Sequence, residues 1–317
     1  MDSCSKKPLI IISGPTAVGK SEISVRLAAA IGGEIISADS MQVYKGMDIG
    51  TAKISSSEML NIPHHLLDIL DPKDDFNIVS FKNYANKAIS EIYERGNLPI
   101  IVGGTGFYIQ SVLYDVDFSV VEESAEYRDE LSKLAEQKGN VYLHDMLKQA
   151  DPDAAAKIHQ NDQKRIIRAL EYYKETGERI SVHNENESHN ISPYNFCYFV
   201  LTDDREKIYE KINLRVDKMI ECGLVEEVKK LKASGLDSSF VSMKGLGYKE
   251  ILEYLDGDIS LDEAIYKIKR DSRHFAKRQL TWFKREKEVT FLNKKDLSQA
   301  YILDIMQNIL REKGIVK

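Results

Sequence analysis

Gly14-Pro15-Thr16-Ala17-Val18-Gly19-Lys20-Ser21 fits the pattern G-x-x-x-x-G-K-[ST] of a phosphate-binding loop, with Gly14, Gly19, Lys20 and Ser21 at its four fixed places. The flanks agree with it. Pro8 to Ser13, PLIIIS, is an apolar run bounded by proline and glycine, which predicts a buried parallel strand. Behind the loop, Ile23, Leu27 and Ile31 recur at helical spacing until Gly32 and Gly33 stop the pattern. Strand, glycine loop and helix N-terminus together make an anion site, because backbone N–H groups converge there and the helix dipole favours negative charge. Lys20 adds a point charge, and the Ser21 hydroxyl can hold a magnesium ion. Gly14 to Ser21 are therefore the candidate polyphosphate site, and Ser21 the candidate metal ligand.

Working outward, the 317 residues suffice for one large domain or two smaller ones. With 43% hydrophobic and 30% charged residues the composition is that of a soluble globular protein. No apolar run approaches a membrane span, and PLIIIS is too short for a signal-peptide core. Cys4, Cys197 and Cys222 lack C-x-x-C spacing, which points away from a disulfide framework or a zinc site and towards a reducing cytoplasm. The net charge of −6 argues mildly against nucleic acid, but the cations are unevenly spread.

The order of elements predicts an α/β fold: a phosphate-loop core with a parallel sheet flanked by helices, interrupted by an inserted helical domain. Residues 1–114 and 187–317 form the expected core and 115–186 the insertion. EIIS (Glu34 to Ser37) reads as a second strand, so Asp39, Ser40, Met41 and Gln42 fall in the loop leaving it. Ligands of open parallel sheets sit beyond the C-terminal strand ends, so Asp39 is placed to face the phosphate loop. By spacing alone it is equally a turn or helix cap. IPHHLLDILDP (Ile62 to Pro72) reads as a loop whose paired histidines lack a third ligand at metal spacing. Leu98 to Tyr108, LPIIVGGTGFY, repeats the strand-then-glycine logic and offers the Thr105 hydroxyl to the same crevice.

In the insertion, Lys164, Arg165 and Arg168 open a helical stretch, and by pattern alone a solvated face accounts for them better than a ligand does. Glu185 to Asn190 is expected as the loop back to the core. After a third strand, Tyr194 to Leu201, a helix has Ile208, Ile212, Met219 and Ile220 on its apolar side and Lys211, Arg215 and Lys218 on one face. An arginine there can hold a diphosphate bidentately, and a plain solvated basic face fits the pattern equally. KGLGYKE (Lys244 to Glu250) is a tight turn carrying Lys244, Gly247, Tyr248 and Lys249. Ile265 to Lys287 sets nine cations, Arg278 among them, against Asp271 and Glu286, with Phe275, Trp282 and Phe283 interleaved. That composition suits RNA, although an amphipathic helix with a basic outer face has it too.

Taken together, GPTAVGKS, SADSMQVYKGMDIGTAK, IPHHLLD, VGGTGFY, RIIRALE, RVDKM, KGLGYKE and the arginine-rich TWF region resemble, in order and nearly end to end, the tRNA dimethylallyltransferases (tRNA isopentenyltransferases). Without the C-terminal zinc finger common in eukaryotic members, the chain resembles a bacterial form. Val18 stands where that family usually has serine, and Ser21 where it often has threonine. The resemblance implies transfer of a dimethylallyl group from dimethylallyl diphosphate to the exocyclic amine of the adenosine 3′ of a tRNA anticodon. It implies that the loop cradles the leaving diphosphate, with Lys20, Arg215, Thr16 and Mg²⁺ on Ser21 neutralising its charge. It implies Asp39 as general base and Thr105 as a contact to nucleotide or diphosphate. It further implies that Asp39 to Gln42, Lys164 to Arg168 and Lys244 to Lys249 contact tRNA, the insertion clamping the anticodon stem-loop. No membrane and no obligate protein partner are expected.

Three other readings share parts of this pattern. A small-molecule kinase using ATP needs a Walker B aspartate, for which only Asp39 and Asp203 are placed. An adenylate isopentenyltransferase acting on free nucleotide would need neither the insertion nor the basic helix. A non-catalytic RNA-binding protein would not need Asp39.

Overall fold

The computed structural model describes residues 6–116, 125–295 and 297–317; Cys4 lies outside them. The chain divides into two compact units, one made of Met1–Leu113 with Pro193–Lys317, the other of Tyr114–Ser192. The return to the first unit thus falls at Pro193 rather than near Asn186.

The first unit is built on six strands: β1 (Lys7–Ser13), β2 (Gly33–Ala38), β3 (His64–His65), β4 (Leu98–Gly103), β5 (Tyr194–Thr202) and β6 (Val289–Asn293). They lie in the order β3-β2-β4-β1-β5-β6, every neighbouring pair parallel. β1 is central, with Ile10 in register with Ile100 on one side and Cys197 on the other. Leu9 to Ile12 are fully buried, as an unbroken apolar run must be when both sheet faces are covered. Helices α1 (Lys20–Ile31) and α13 (Gln299–Glu312) cover one face, bringing Ile23 and Leu27 together with Ile302, Met306 and Leu310. On the other side α2 (Ile78–Glu94) packs on β2 and β4 through its buried stripe of Phe81, Ala85, Ile89 and Ile92. Asn77 caps α2 by accepting the Ser80 N–H at 2.9 Å.

His64 and His65 were expected in a loop and instead form a two-residue edge strand beside Ile35 and Ile36. The pairing holds because His65 Nε2 lies 2.7 Å from Glu34, a fully buried carboxylate that Arg95 grips bidentately at 2.9 and 2.7 Å. These contacts hold the Glu34 carboxyl at about 2. Among the described residues no three His, Cys, Asp or Glu side chains cluster as a metal site.

The rest of this unit comprises α3 (Gly106–Leu113), α9 (Arg205–Glu221), α10 (Leu224–Ala233), α11 (Tyr248–Asp256) and α12 (Leu261–Phe283). The buried stripe of α9 is Ile208, Ile212 and Val216, an i, i+4, i+8 row. Met219 and Ile220, expected on that side, are half-buried. α12 starts at Ser260, whose hydroxyl accepts the Glu263 N–H.

The second unit is helical: α4 (Ala125–Lys138), α5 (Asn140–Ala150), α6 (Pro152–Lys157), α7 (Gln163–Thr176) and α8 (Ile180–Ser188). Leu131, Leu143, Leu147, Ile166 and Leu170 fill its core. Buried Asp151 caps α6 through the Ala154 N–H and takes both the N–H and the hydroxyl of Ser181. α8 runs through Glu185 to Ser188, where a loop was expected. Polarity alone does not end a helix, and neither glycine nor proline occurs there before Pro193. No helix among the described residues is long and apolar enough to cross a membrane.

Candidate active site

The C-terminal ends of β1, β2 and β4 open on a cavity of about 440 Å³. Thr16, Ala17, Gly19, Lys20 and Ser21 line it from the phosphate loop, Ser37, Asp39 and Gln42 from the end of β2, and Gly103 and Gly104 from the end of β4. Lys211 and Arg215 reach it from α9, Phe275 and Gln279 from α12. β4 and β5 flank β1 on opposite sides, so the cavity sits where the chain's direction of progress across the sheet reverses.

Gly19, at φ 90°, turns the chain into α1. Ala17 is also left-handed, at φ 63°, a conformation costing about 1 kcal/mol for a residue with a Cβ. Alternating backbone handedness lets successive N–H groups face one anion. Lys20 Nζ donates to the carbonyls of Gly14 and Pro15, each at 2.9 Å, so the ammonium folds across its own loop. Its enclosure, reinforced by the Arg215 charge and opposed by Asp39, lowers the Lys20 pKa to about 7. An arriving anion would restore its charge.

Arg215 Nη1 donates to Thr16 Oγ1 at 3.3 Å and Nη2 to the Thr51 carbonyl at 3.2 Å. Burial pulls its pKa down and Asp39 pulls it back. The Asp39 carboxylate caps the turn after β2, Oδ1 accepting the N–H groups of Met41 at 2.9 Å and Gln42 at 3.3 Å. Oδ2 has no hydrogen-bond partner among the described residues. One oxygen fixes the carboxylate and the other remains available to a proton, so capping and facing the site are compatible.

Sequence reasoning missed Gln279. Its Oε1 accepts the Thr16 N–H and its Nε2 donates to the Gly104 carbonyl, both at 2.9 Å, tying both glycine loops to α12. A Cβ on Gly104 would lie 2.1 Å from Gln279 Nε2, so this close approach requires glycine. The available signal was a glutamine in the stripe Ala264, Ile268, Ala276 and Phe283 that α12 buries.

The other expected site residues divide by exposure. Val18 is buried in the core and, like Pro15, does not line the cavity. Ser40 and Met41 are half-buried, and Thr105 lies one residue past Gly104, its carbonyl starting α3. Lys164, Arg165 and Arg168 are exposed on α7; Lys244, Lys249 and Arg278 are exposed in the first unit. Tyr248 departs from its expected contact role. It is fully buried, and its hydroxyl donates to Glu227 at 2.6 Å. Gly247 is buried beside it, its N–H donated to Glu250. An amphipathic tyrosine with a carboxylate partner is more stable inside than on the surface.

The basic run along α12 also divides. Lys267 meets Glu253 and Glu263, Lys269 meets Asp217, and Arg270 meets Asp271. Glu253 of α11 and Asp217 of α9 thus supply partners from other helices, while Glu263 and Asp271 are on α12 itself. Lys277, Arg278, Lys284 and Arg285 are exposed beyond them. His274, Lys277, Arg278, Thr281, Trp282 and Arg285 line a second hollow of about 380 Å³. Phe283 is fully buried, while Phe275 and Trp282 are half-buried.

A phosphate loop, a free carboxylate oxygen and an enclosed arginine around one cavity suit displacement of a diphosphate. Residues 42–286 match the family model for IPP transferase. The chain belongs to the IPP transferase family. It is 59% identical over 312 residues, 98% of this chain and 100% of the relative, to a tRNA dimethylallyltransferase of Lachnoclostridium phytofermentans. Among solved structures it is similar to a tRNA isopentenylpyrophosphate transferase from Bacillus halodurans, with 45% identity, TM-score 0.74 and 98% of each chain covered. A eukaryotic dimethylallyltransferase acting on tRNA superposes with TM-score 0.83 at 32% identity, over 98% of this chain and 79% of that one. The phosphate loop and Asp39 of this IPP transferase precede the stretch matched by the family model, but the full-length likenesses extend over nearly the whole chain.

Proposed function

We propose that the chain transfers the dimethylallyl group of dimethylallyl diphosphate to the exocyclic N6 amine of the adenosine immediately 3′ of the anticodon in tRNA. The amine nitrogen bonds to the allylic carbon, the carbon–oxygen bond to diphosphate breaks, and the nitrogen gives up a proton. The observation carrying this reading is the opening of the phosphate loop, Asp39 and Arg215 on one cavity, in a chain 59% identical to a tRNA dimethylallyltransferase.

Each residue has a definite task. The loop N–H groups, Lys20 and Arg215 hold the diphosphate and stabilise the charge gathering on it as it leaves. Asp39, braced through Oδ1, receives the amine proton on Oδ2, a contribution of about 10²–10⁴-fold. Thr105 contacts the nucleotide or the diphosphate. Ser21 lines the cavity, and its hydroxyl would hold a magnesium ion there; among the described residues no three His, Cys, Asp or Glu side chains cluster as a metal site. Such an ion supplies charge neutralisation on the leaving group.

The adenosine reaches the cavity only when flipped out of its stack. The exposed cations Lys164, Arg165, Arg168, Lys244, Lys249 and Arg278, with Ser40 to Gln42, are assigned to tRNA, and the helical unit to clamping the anticodon stem-loop. The cytoplasm is the compartment where this substrate is met.

The test is transfer of labelled dimethylallyl from its diphosphate to unmodified tRNA, with and without Mg²⁺, for wild type and Asp39→Ala. Label in tRNA that the variant loses while still binding tRNA is the expected result. Label appearing in free adenylate, or phosphate transferred from ATP, would overturn the proposal.

A further inference from the structure

The turn that receives Arg215 is itself held by a carboxylate outside the cavity. Glu227, half-buried on α10, accepts three consecutive backbone N–H groups: Asp48 at 3.0 Å and Ile49 at 2.8 Å on Oε2, and Gly50 at 3.1 Å on Oε1. The Tyr248 hydroxyl adds a fourth bond at 2.6 Å. Three successive amides on one carboxylate are a backbone nest, an arrangement that binds anions because its dipoles converge. Here the anion is covalently part of the protein.

The consequence reaches the cavity in one step. Thr51, next after the nest, offers its carbonyl to Arg215 Nη2 at 3.2 Å and to Gln42 Nε2 at 3.2 Å. Its hydroxyl donates to the Met47 carbonyl at 2.7 Å, closing the turn. The Gln42 N–H in turn braces Asp39. Arg215 has two hydrogen-bond partners among the described residues, and one of them is this carbonyl. The Tyr248 ring packs on the same turn so closely that a Cβ on Gly50 would lie 2.5 Å from it.

We infer that Glu227 and Tyr248 are positioning residues for Arg215, holding the Asp48–Thr51 turn so that the guanidinium presents to the diphosphate. The inference rests on the cavity being a diphosphate site. It assigns to KGLGYKE a role in anion affinity through its buried tyrosine, distinct from the exposed lysines beside it.

The probe is inorganic diphosphate, titrated into the full chain by calorimetry, together with steady-state transfer kinetics and thermal unfolding. Glu227→Gln keeps the shape and removes the charge that three amides face. It should weaken diphosphate by about tenfold or more and raise KM for dimethylallyl diphosphate similarly, with KM for tRNA within about twofold. Tyr248→Phe, which keeps the ring on Gly50, should lose about two- to fivefold. Combined with Glu227→Gln it should add nothing, since both act through one carboxylate. Wild-type affinity in both single variants would overturn the inference, as would equal losses for diphosphate and tRNA in proportion to a fall in Tm. Failure of the wild-type chain to bind diphosphate would instead overturn the proposed function.

Discussion

Gln279 receives the backbone N–H of Thr16 at 2.9 Å across 263 positions of chain. The phosphate loop is therefore shaped partly by α12, and its geometry depends on where that helix docks. Gln279→Leu fills a similar volume but strands the Thr16 N–H and the Gly104 carbonyl, for an expected destabilisation of about 1–3 kcal/mol. Denaturant unfolding measures this. KM for dimethylallyl diphosphate should rise with it, and an unchanged KM would mean that the loop keeps its shape without the tie.

Lys20 is expected to make stability and anion binding depend on pH above neutrality. Its folded pKa is about 7 against 10.5 unfolded, so between those values the unfolded chain holds more protons and stability rises with pH. The burial penalty on Lys20 is largest below pH 7 and relieved above it. Wild type should accordingly gain on Lys20→Met as the pH climbs from about 7 to 10. Diphosphate binding at pH 8 should take up a proton that Lys20→Arg does not, measurable by calorimetry in buffers of different ionisation enthalpy.

Glu286 carries the opposite sign. Burial raises its carboxyl to about 7, opposed by the Gln110 amide, which donates to it at 2.7 Å. Between about 4.5 and 7 the folded chain holds more protons than the unfolded one, so this contribution falls as pH rises. Glu286→Gln keeps the acceptor for Gln110 and removes the titration. The Tm of wild type relative to that variant should decline from pH 4.5 to 7 and then level off.

The Arg278 guanidinium is exposed, stacked 5.8 Å from the Phe275 ring at the second hollow of α12. If it meets a tRNA phosphate, Arg278→Gln should weaken binding and reduce the slope of log affinity against log salt by roughly one. A slope equal to wild type would assign the residue to a solvated face.

What was legible in the sequence follows the reach of each interaction. The phosphate loop, its strand and its helix are contiguous, so eight letters and their flanks determine their local geometry. Asp39 was legible by position because a loop leaving a parallel strand has to open on the crevice. Gln279 was not, since one glutamine in a buried stripe acquires meaning only from two loops far away in the chain. For Tyr248 the family resemblance implies a tRNA contact, whereas Glu227, twenty-one residues earlier, draws its hydroxyl inward. The helix through Glu185 to Ser188 is illegible in the sequence because its polar composition looks like a terminator, although no residue there breaks the backbone pattern.

Among the described residues β1 is the first strand, and it lies inside the sheet between β4 and β5. Ile10 pairs with Ile100 and with Cys197, so on the ribosome its second neighbour emerges almost two hundred residues after it does. At about 5–20 residues per second, the LIII run waits on the order of ten seconds for that partner. Throughout this interval an apolar strand with unsatisfied backbone groups is exposed to solvent and to other nascent chains. Its protection then falls to the early β2 and β4 pairing or to a chaperone.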